Sequence, residues 1–190
     1  MNKKRIWYII PAALLPYSAL LVLTTIFFST RHRIFGFIVE EIFQGNIWFL
    51  FAAFFLFCLL STALSTICFV KSIREKWDPL SLAKYAMITK LIQIPAYILI
   101  YILGVLLFIS IFTFAFSIGL FLLDCLAVVL SGLLTIAAAI NAIRRDIFRT
   151  KEVLWIIILQ FIFCADVAAS IVLYKKLKKR LQHDIGTLAK

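Results

Sequence analysis

The chain has 190 residues, of which 64% are hydrophobic and 15% charged, and its mean hydropathy is +1.07. Soluble domains are about 45–50% apolar, so this composition excludes an ordinary soluble domain and predicts an integral membrane protein. A net charge of +11 would suit nucleic-acid binding in a soluble protein. Here Lys and Arg flank apolar runs, where anionic lipid headgroups attract them. We therefore expect the lipid bilayer, and no nucleic acid, as the partner of these charges.

The first apolar run covers residues 6–28 and follows three basic residues. It is longer than the hydrophobic region of a typical signal peptide, and no small-residue cleavage site follows, so it predicts a retained first span. Pro11 and Pro16 lie inside it, and each removes a backbone donor. They are candidate helix breaks, which either bend a packing helix or line a substrate path.

A connector precedes the second predicted span, which covers residues 47–70. Between residues 34 and 44 the apolar side chains share one helical face, and this pattern predicts a short helix lying in the membrane interface. After the second span comes a basic connector over residues 71–90. It contains Asp78 and Pro79, a helix-start signal with Asp as the N-cap and Pro in the first turn.

The longest apolar stretch, residues 91–143, holds a single charged residue, Asp124. As one helix it would be about 80 Å long, whereas the hydrocarbon core of a bilayer is about 30 Å thick. We therefore predict two spans, 91–112 and 120–143, joined by a tight hairpin. Pro95 is a third candidate helix break, near the start of the third span.

The fourth predicted span carries small residues at every fourth position. They are Ala127, Ser131, Thr135 and Ala139. Residues four apart lie on the same side of a helix, and small side chains let two helices approach closely. This row predicts a close-packing face directed at the inside of the bundle.

The last apolar run, residues 153–174, contains Gln160 and Asp166 and predicts a fifth span. A basic tail follows over residues 175–190. Its first cations are candidate contacts for anionic headgroups; they are Lys175, Lys176, Lys178, Lys179 and Arg180.

The distribution of Lys and Arg conflicts with five spans. Cytoplasmic loops favour these residues, yet with a cytoplasmic N-terminus five spans put the basic tail outside. If residues 153–174 dipped into the membrane and returned, every Lys and Arg except Arg31 and Arg33 would lie inside. We weight segment length above charge. The prediction is an all-α polytopic transmembrane bundle of about five spans, forming one domain over residues 1–190, in the bacterial plasma membrane with its N-terminus in the cytoplasm.

Asp124 and Asp166 are acids inside apolar segments, which makes each a candidate functional residue. In the five-span arrangement both lie in the outer half of the membrane and can approach each other. Together with Gln160, Ser131 and Thr135 they form a candidate intramembrane polar site. Two neighbouring acids of this kind suit proton- or cation-coupled chemistry. The alternative is that each acid only bonds to nearby Ser, Thr, Gln or backbone groups.

Catalytic motifs are missing from the sequence. It contains no G-x-S-x-G, no H-E-x-x-H and no Gly-rich phosphate loop, and neither acid lies in the G-x-G-D pattern of intramembrane aspartyl proteases. The four cysteines occur singly in apolar runs, which favours buried side chains over metal ligation or disulfides. We expect no catalytic residue, no cofactor and no metal, and therefore a protein that is not an enzyme.

Two runs resemble a group of small, uncharacterised polytopic membrane proteins of Gram-positive bacteria. They are LAKYAMITKLIQIPAYILIYILG at residues 82–104 and FLLDCLAVVLSGLLTIAAAINAIR at residues 121–144, with Pro95-Ala96-Tyr97, Asp124-Cys125 and Ser131-Gly132 among the shared features. The resemblance extends from the first span to Arg144. It implies a bacterial plasma membrane location and no particular activity.

Two functions remain open on the sequence. The first is a non-enzymatic accessory, immunity or regulatory subunit that binds a membrane-protein partner or a second copy of itself. The second is a small proton- or cation-coupled secondary transporter that uses Asp124 and Asp166.

Overall fold

The computed structural model describes residues 7–28, 36–109, 113–162 and 165–188. These ranges contain six α-helices: α1 (Ile10–Phe28), α2 (Ile47–Arg74), α3 (Pro79–Phe108), α4 (Phe114–Arg144), α5 (Thr150–Leu159) and α6 (Ala165–Leu188). No strand occurs in the described ranges. The predicted all-α class is confirmed.

Helices α1 to α4 are each long and apolar enough to cross a membrane, whereas α5 and α6 are not. The outer faces of these four helices carry many large apolar side chains; on α2, for example, Trp48 is 78% exposed. Soluble monomers rarely expose contiguous apolar surface of this extent. The fold is therefore compatible with a helical membrane protein, as the composition predicted.

Helix α3 begins where the sequence predicted. Pro79 is its first residue, and the Asp78 carboxylate accepts a hydrogen bond of 2.8 Å from the Ser81 backbone N–H. However, the helix enters the bundle well before the predicted start of the third span at residue 91. Leu82 and Ala86 are already fully enclosed, so the last part of the predicted connector belongs to the core.

The connection between α3 and α4 includes residues 110–112, which lie outside the described ranges, and the predicted hairpin turn falls partly there. On either side of it the two helices run antiparallel and close together. The Thr113 hydroxyl donates to the Leu107 carbonyl at 2.7 Å, and the Ser117 hydroxyl donates to the Gly104 carbonyl at 2.9 Å. Helix α4 starts at Phe114, six residues before the predicted start of the fourth span.

The predicted fifth span, residues 153–174, does not form one helix. Helix α5 ends at Leu159 and α6 begins at Ala165. Arg180 of α6 donates to the Ile147 carbonyl and to the Glu152 carboxylate, at 2.5 and 2.6 Å, which shows that α6 returns along α5 toward the start of that helix. The physical reason for the break lies in two polar side chains, Gln160 and Asp166, which the turn carries into the bundle interior.

The described part of the predicted basic tail, residues 175–188, belongs to α6. One side of α6 packs on the core, where Leu173 and Leu177 are fully enclosed in a cluster that includes Trp77 and Leu82. The connections after α2 and α4 meet at the same end of the bundle. Arg145 donates to the Lys76 carbonyl at 3.0 Å.

Helix α4 lies at the centre of the bundle and contacts α1, α2, α3, α5 and α6. The small-residue row predicted as a packing face is buried along its whole length: Ala127, Ser131, Thr135 and Ala139. The prediction of an inward close-packing face is confirmed.

The interfacial helix predicted over residues 34–44 falls partly outside the described ranges. Its described part contains a π-helical turn, Ile38–Ile42, with no buried residue. Its position relative to a membrane interface stays a prediction.

Candidate functional site

An ion pair is enclosed in the interior of the bundle. The Lys90 ammonium lies 2.5 Å from a carboxylate oxygen of Asp166, and the two side chains are 0% and 1% exposed. Lys90 comes from the middle of α3 and Asp166 from the first turn of α6. A lone charge costs several kcal/mol in such a place, so each residue depends on the other for its charge.

Further contacts hold both members of the pair. The Lys90 ammonium also donates to the Ser131 hydroxyl of α4 at 3.3 Å, and the second carboxylate oxygen of Asp166 accepts from the Val167 backbone N–H at 2.8 Å. The position of Asp166 at the start of α6 adds the positive end of the helix dipole. The charge of Asp166 is thus balanced from three directions.

Polar side chains from the neighbouring helices surround the pair. The Ser170 hydroxyl donates to the Asp166 carbonyl at 2.9 Å and lies 3.0 Å from the Thr135 hydroxyl. Gln160 donates to the same Asp166 carbonyl at 3.4 Å. Gly132 of α4 lies next to Gln160: a Cβ added there would be in ordinary contact with the Gln160 Cβ, at 3.5 Å. Four of the five predicted polar site residues, Asp166, Gln160, Ser131 and Thr135, therefore belong to one cluster.

The two prolines of α1 have different consequences. Pro11 is the second residue of the helix, where a missing N–H costs little. Pro16 lies inside the helix and leaves the Ala12 carbonyl without its partner four residues on. The Gln93 side chain of α3 donates to that carbonyl at 2.8 Å. Pro16 is thus a tolerated break, with the freed acceptor satisfied by the neighbouring helix.

Pro95 of α3 also removes a helical donor, the one that would bond the Leu91 carbonyl. The Tyr17 hydroxyl of α1 donates to the next carbonyl, that of Ile92, at 2.5 Å. Near the prolines, α3 thus donates a side-chain hydrogen bond to α1 through Gln93, and α1 donates one to α3 through Tyr17. This exchange fixes α1 against α3, and it favours the bent packing helix over a substrate path at Pro16 and Pro95.

Asp124 lies apart from the ion pair. It precedes Ser131 by two turns of α4, about 10 Å along the helix axis. Its side chain is 7% exposed, and one of its oxygens, Oδ1, has no hydrogen-bond partner in the described part of the chain. It lines a groove of about 710 Å³ between α3 and α4. The two acids that the sequence placed together thus occupy different environments.

The sequence interpretation missed Lys90, Gln93 and Ser170. It placed Lys90 at the end of a basic connector. A signal was present, because Ala86, Lys90, Gln93 and Tyr97 follow one another at intervals of three or four and so share one face of a helix. That face is buried in the structure.

Four of the five predicted headgroup contacts, Lys175, Lys176, Lys178 and Lys179, are exposed on α6. The fifth, Arg180, is engaged within the protein, since it lies over the Phe148 ring at 4.5 Å. The exposure of the four lysines is compatible with lipid headgroup binding, which stays a prediction.

Comparisons of this chain with protein-family models, with curated proteins and with solved structures find no match. The resemblance to Gram-positive membrane proteins therefore stays a prediction.

Proposed function

We propose that this protein is a non-enzymatic accessory, immunity or regulatory subunit of the bacterial plasma membrane, which acts by binding a membrane-protein partner or a second copy of itself. The observation that carries the proposal is the closed polar interior. Lys90 and Asp166 are enclosed and neutralise each other. A substrate could reach them only by breaking the pair, so these groups support the bundle and leave its outer surface for function.

The outer surface of α2 is a second support. Its inward side carries small or polar residues such as Ser61 and Ser65, whereas its outward side exposes large apolar ones such as Phe55 and Leu56. Small side chains bring a helix close to its neighbours. The large side chains remain free for lipid or for the helix of a partner.

Purification in a mild detergent from the native membrane tests this function. We expect a partner at a fixed stoichiometry, or a defined homo-oligomer, that survives gel filtration and is lost in a harsh detergent. A clean monomer without a partner, obtained from cells at native expression level, would overturn the proposal.

A small cation- or proton-coupled transporter is the second candidate. It is favoured by the Asp124 carboxylate, whose Oδ1 has no hydrogen-bond partner in the described ranges. In this version Asp124 is the coupling residue, while Asp166 stays paired with Lys90. Reconstituted vesicles would show ion-dependent flux that Asp124→Asn abolishes. Flux that is unchanged in this variant would remove the candidate.

We also infer that the N-terminus and the C-terminal tail lie on the cytoplasmic side. The Lys71 ammonium contacts the Tyr8 hydroxyl at 3.2 Å, and Arg180 contacts Ile147 and Glu152. The start of α1, the connections after α2 and α4, and the basic half of α6 therefore share one end of the bundle. Lys and Arg concentrate in these segments, and cytoplasmic segments favour them.

A reporter fused after Lys190 tests the sidedness in intact cells. We expect the cytoplasmic signal, equal to that of an N-terminal fusion. An external signal would mean that the segment with α5 and α6 crosses the membrane completely, as in the five-span arrangement.

A further inference from the structure

We propose that the groove between α3 and α4 binds a lipophilic cation, meaning an ammonium, phosphonium or guanidinium group carried on an apolar body, with Asp124 as its counter-ion. The site goes beyond the proposed function, because a subunit that binds another protein does not require it.

The shape of the groove fits a small ligand. Its volume is about 710 Å³, within the range of roughly 300–1,000 Å³ that is usual for small-molecule sites. Helix α3 contributes Ile100, Gly104 and Phe108 to its walls, and helix α4 contributes Leu120 and Val128. The walls are thus mostly apolar, which selects an apolar ligand body.

The charge inside the groove selects the ligand further. Asp124 is more than nine-tenths buried, its Oδ1 has no partner in the described ranges, and no Lys, Arg or His lies among the residues that line the groove. The neighbouring Ser117 hydroxyl is already used, since it donates to the Gly104 carbonyl. A buried carboxylate needs a counter-charge or a hydrogen-bond donor, and in this groove a ligand would supply it.

Other occupants fit less well. A hydrocarbon chain fills the volume but leaves the carboxylate unpaired. A divalent metal ion needs several oxygen ligands, whereas the groove offers one carboxylate among apolar walls. A cation with aromatic or aliphatic groups satisfies both the charge and the walls, and the rings of Tyr101 and Phe161 in the lining add favourable faces for a cation.

Access is from the side of the bundle. Tyr101 at the groove is 67% exposed, and Phe108 and Phe121 are also exposed. This face of α3 and α4 would be turned to the lipid, so a ligand that partitions into the bilayer would reach Asp124 laterally.

The experiment measures binding of tetraphenylphosphonium to the purified full chain in detergent by equilibrium dialysis. We expect saturable binding with one site per chain, and Asp124→Asn should weaken it by about tenfold or more, because a buried charge pair is lost. Asp146→Asn is the matched control: it removes the same charge from an exposed turn with φ +55°, a conformation that Asn tolerates. This variant should bind like the wild type.

A second variant keeps the carboxylate and fills the groove. A Cβ at Gly104 meets no atom closer than 4.0 Å, so Gly104→Leu can place its side chain in the groove and should also weaken binding. Cys125 lines the same groove and is exposed, so bound tetraphenylphosphonium should slow its reaction with a maleimide, measured on the Cys125 peptide by mass spectrometry. This protection should be lost in Asp124→Asn.

The outcomes separate this site from the proposed function. Binding that depends on Asp124 supports the site whether or not a protein partner is found. No saturable binding by the wild type, or equal binding by wild type and Asp124→Asn, would overturn it. Equally strong binding of neutral triphenylphosphine oxide in all variants would show adsorption to apolar surface and would also overturn it.

Discussion

The two intramembrane acids of this protein have opposite surroundings. Asp166 is paired with Lys90, accepts a backbone N–H and lies at the start of a helix. Asp124 is almost as deeply buried, yet Oδ1 has no partner in the described part of the chain and the side chain lines an open groove. A buried charge that is fully compensated stabilises one arrangement of helices. A buried charge that is not compensated remains available to a ligand, so the same residue type has a structural role in one place and a candidate binding role in the other.

The largest expected effect comes from removing the partner of Asp166. Lys90→Met would leave an unpaired buried carboxylate and should lower the free energy of unfolding by about 3–5 kcal/mol. The measurement is unfolding in mixed detergent micelles followed by circular dichroism. Lys84→Met, the same change at an exposed position of α3, is the control and should cost below about 0.5 kcal/mol.

The double variant Lys90→Met with Asp166→Leu sharpens this prediction. Removing both charges should restore most of the free energy of unfolding that Lys90→Met loses, because no lone buried charge remains. Equal unfolding of Lys90→Met and Lys84→Met would show that the ion pair contributes little.

The next effect concerns the carbonyl that Pro16 leaves free. Gln93→Leu removes its donor and should cost about 1–3 kcal/mol. In a Pro16→Ala background the Ala12 carbonyl regains the helical N–H of residue 16, so the same change should cost clearly less. A double-mutant cycle on unfolding measures the difference, and equal costs in both backgrounds would contradict the role of Gln93.

Asp124→Asn should change the free energy of unfolding less than these variants do, and it should not destabilise the protein clearly. It replaces a buried carboxyl group whose Oδ1 has no partner in the described ranges, so the free energy of unfolding should rise or stay within about 1 kcal/mol of the wild type. Asp166→Asn is the matched comparison and should destabilise clearly, because Lys90 then lacks its counter-charge. If the two variants lost stability equally, the contrast between the two acids would fail.

The smallest effect on stability is expected at the exposed ion pair between Arg180 of α6 and Glu152 of α5. Arg180 and Glu152 are both partly exposed, at 43% and 36%, and such pairs contribute below about 1 kcal/mol. Arg180→Ala should therefore change the free energy of unfolding little, and this change should be smaller still at high salt. A loss as large as that of Lys90→Met would mean that the return of α6 along α5 depends on this contact.

Much of the fold was predictable because it depends on local sequence. Helix α1, helix α2 and the start of α3 at Pro79 follow from apolar run length and from one capping residue. The fifth predicted span was a different case, since its length favoured a crossing helix while the distribution of Lys and Arg favoured a return. The structure breaks this segment between Leu159 and Ala165, in agreement with the charges, and Asp166 in the first turn of α6 reaches Lys90.

The candidate site was only partly predictable. Asp166, Gln160, Ser131 and Thr135 lie in one cluster, which follows the tendency of polar residues in apolar segments to face the interior. Asp124 was grouped with them on an assumed depth, and the structure separates it. Lys90 was missed as the partner, although its position on the face of Gln93 and Tyr97 was visible in the helical spacing.

The sequence by itself determined that this is an all-helical membrane protein, where its first helices run and which side of α4 packs inward. These features follow from the hydrocarbon thickness, the helical period and the need to satisfy each backbone group within its own helix. Only the tertiary structure decided that Asp166 is paired with Lys90, while Oδ1 of Asp124 has no partner in the described part of the chain. Lys90 and Asp166 are 76 residues apart in the chain, and compensation of a buried charge depends on such distant contacts, which no local pattern specifies.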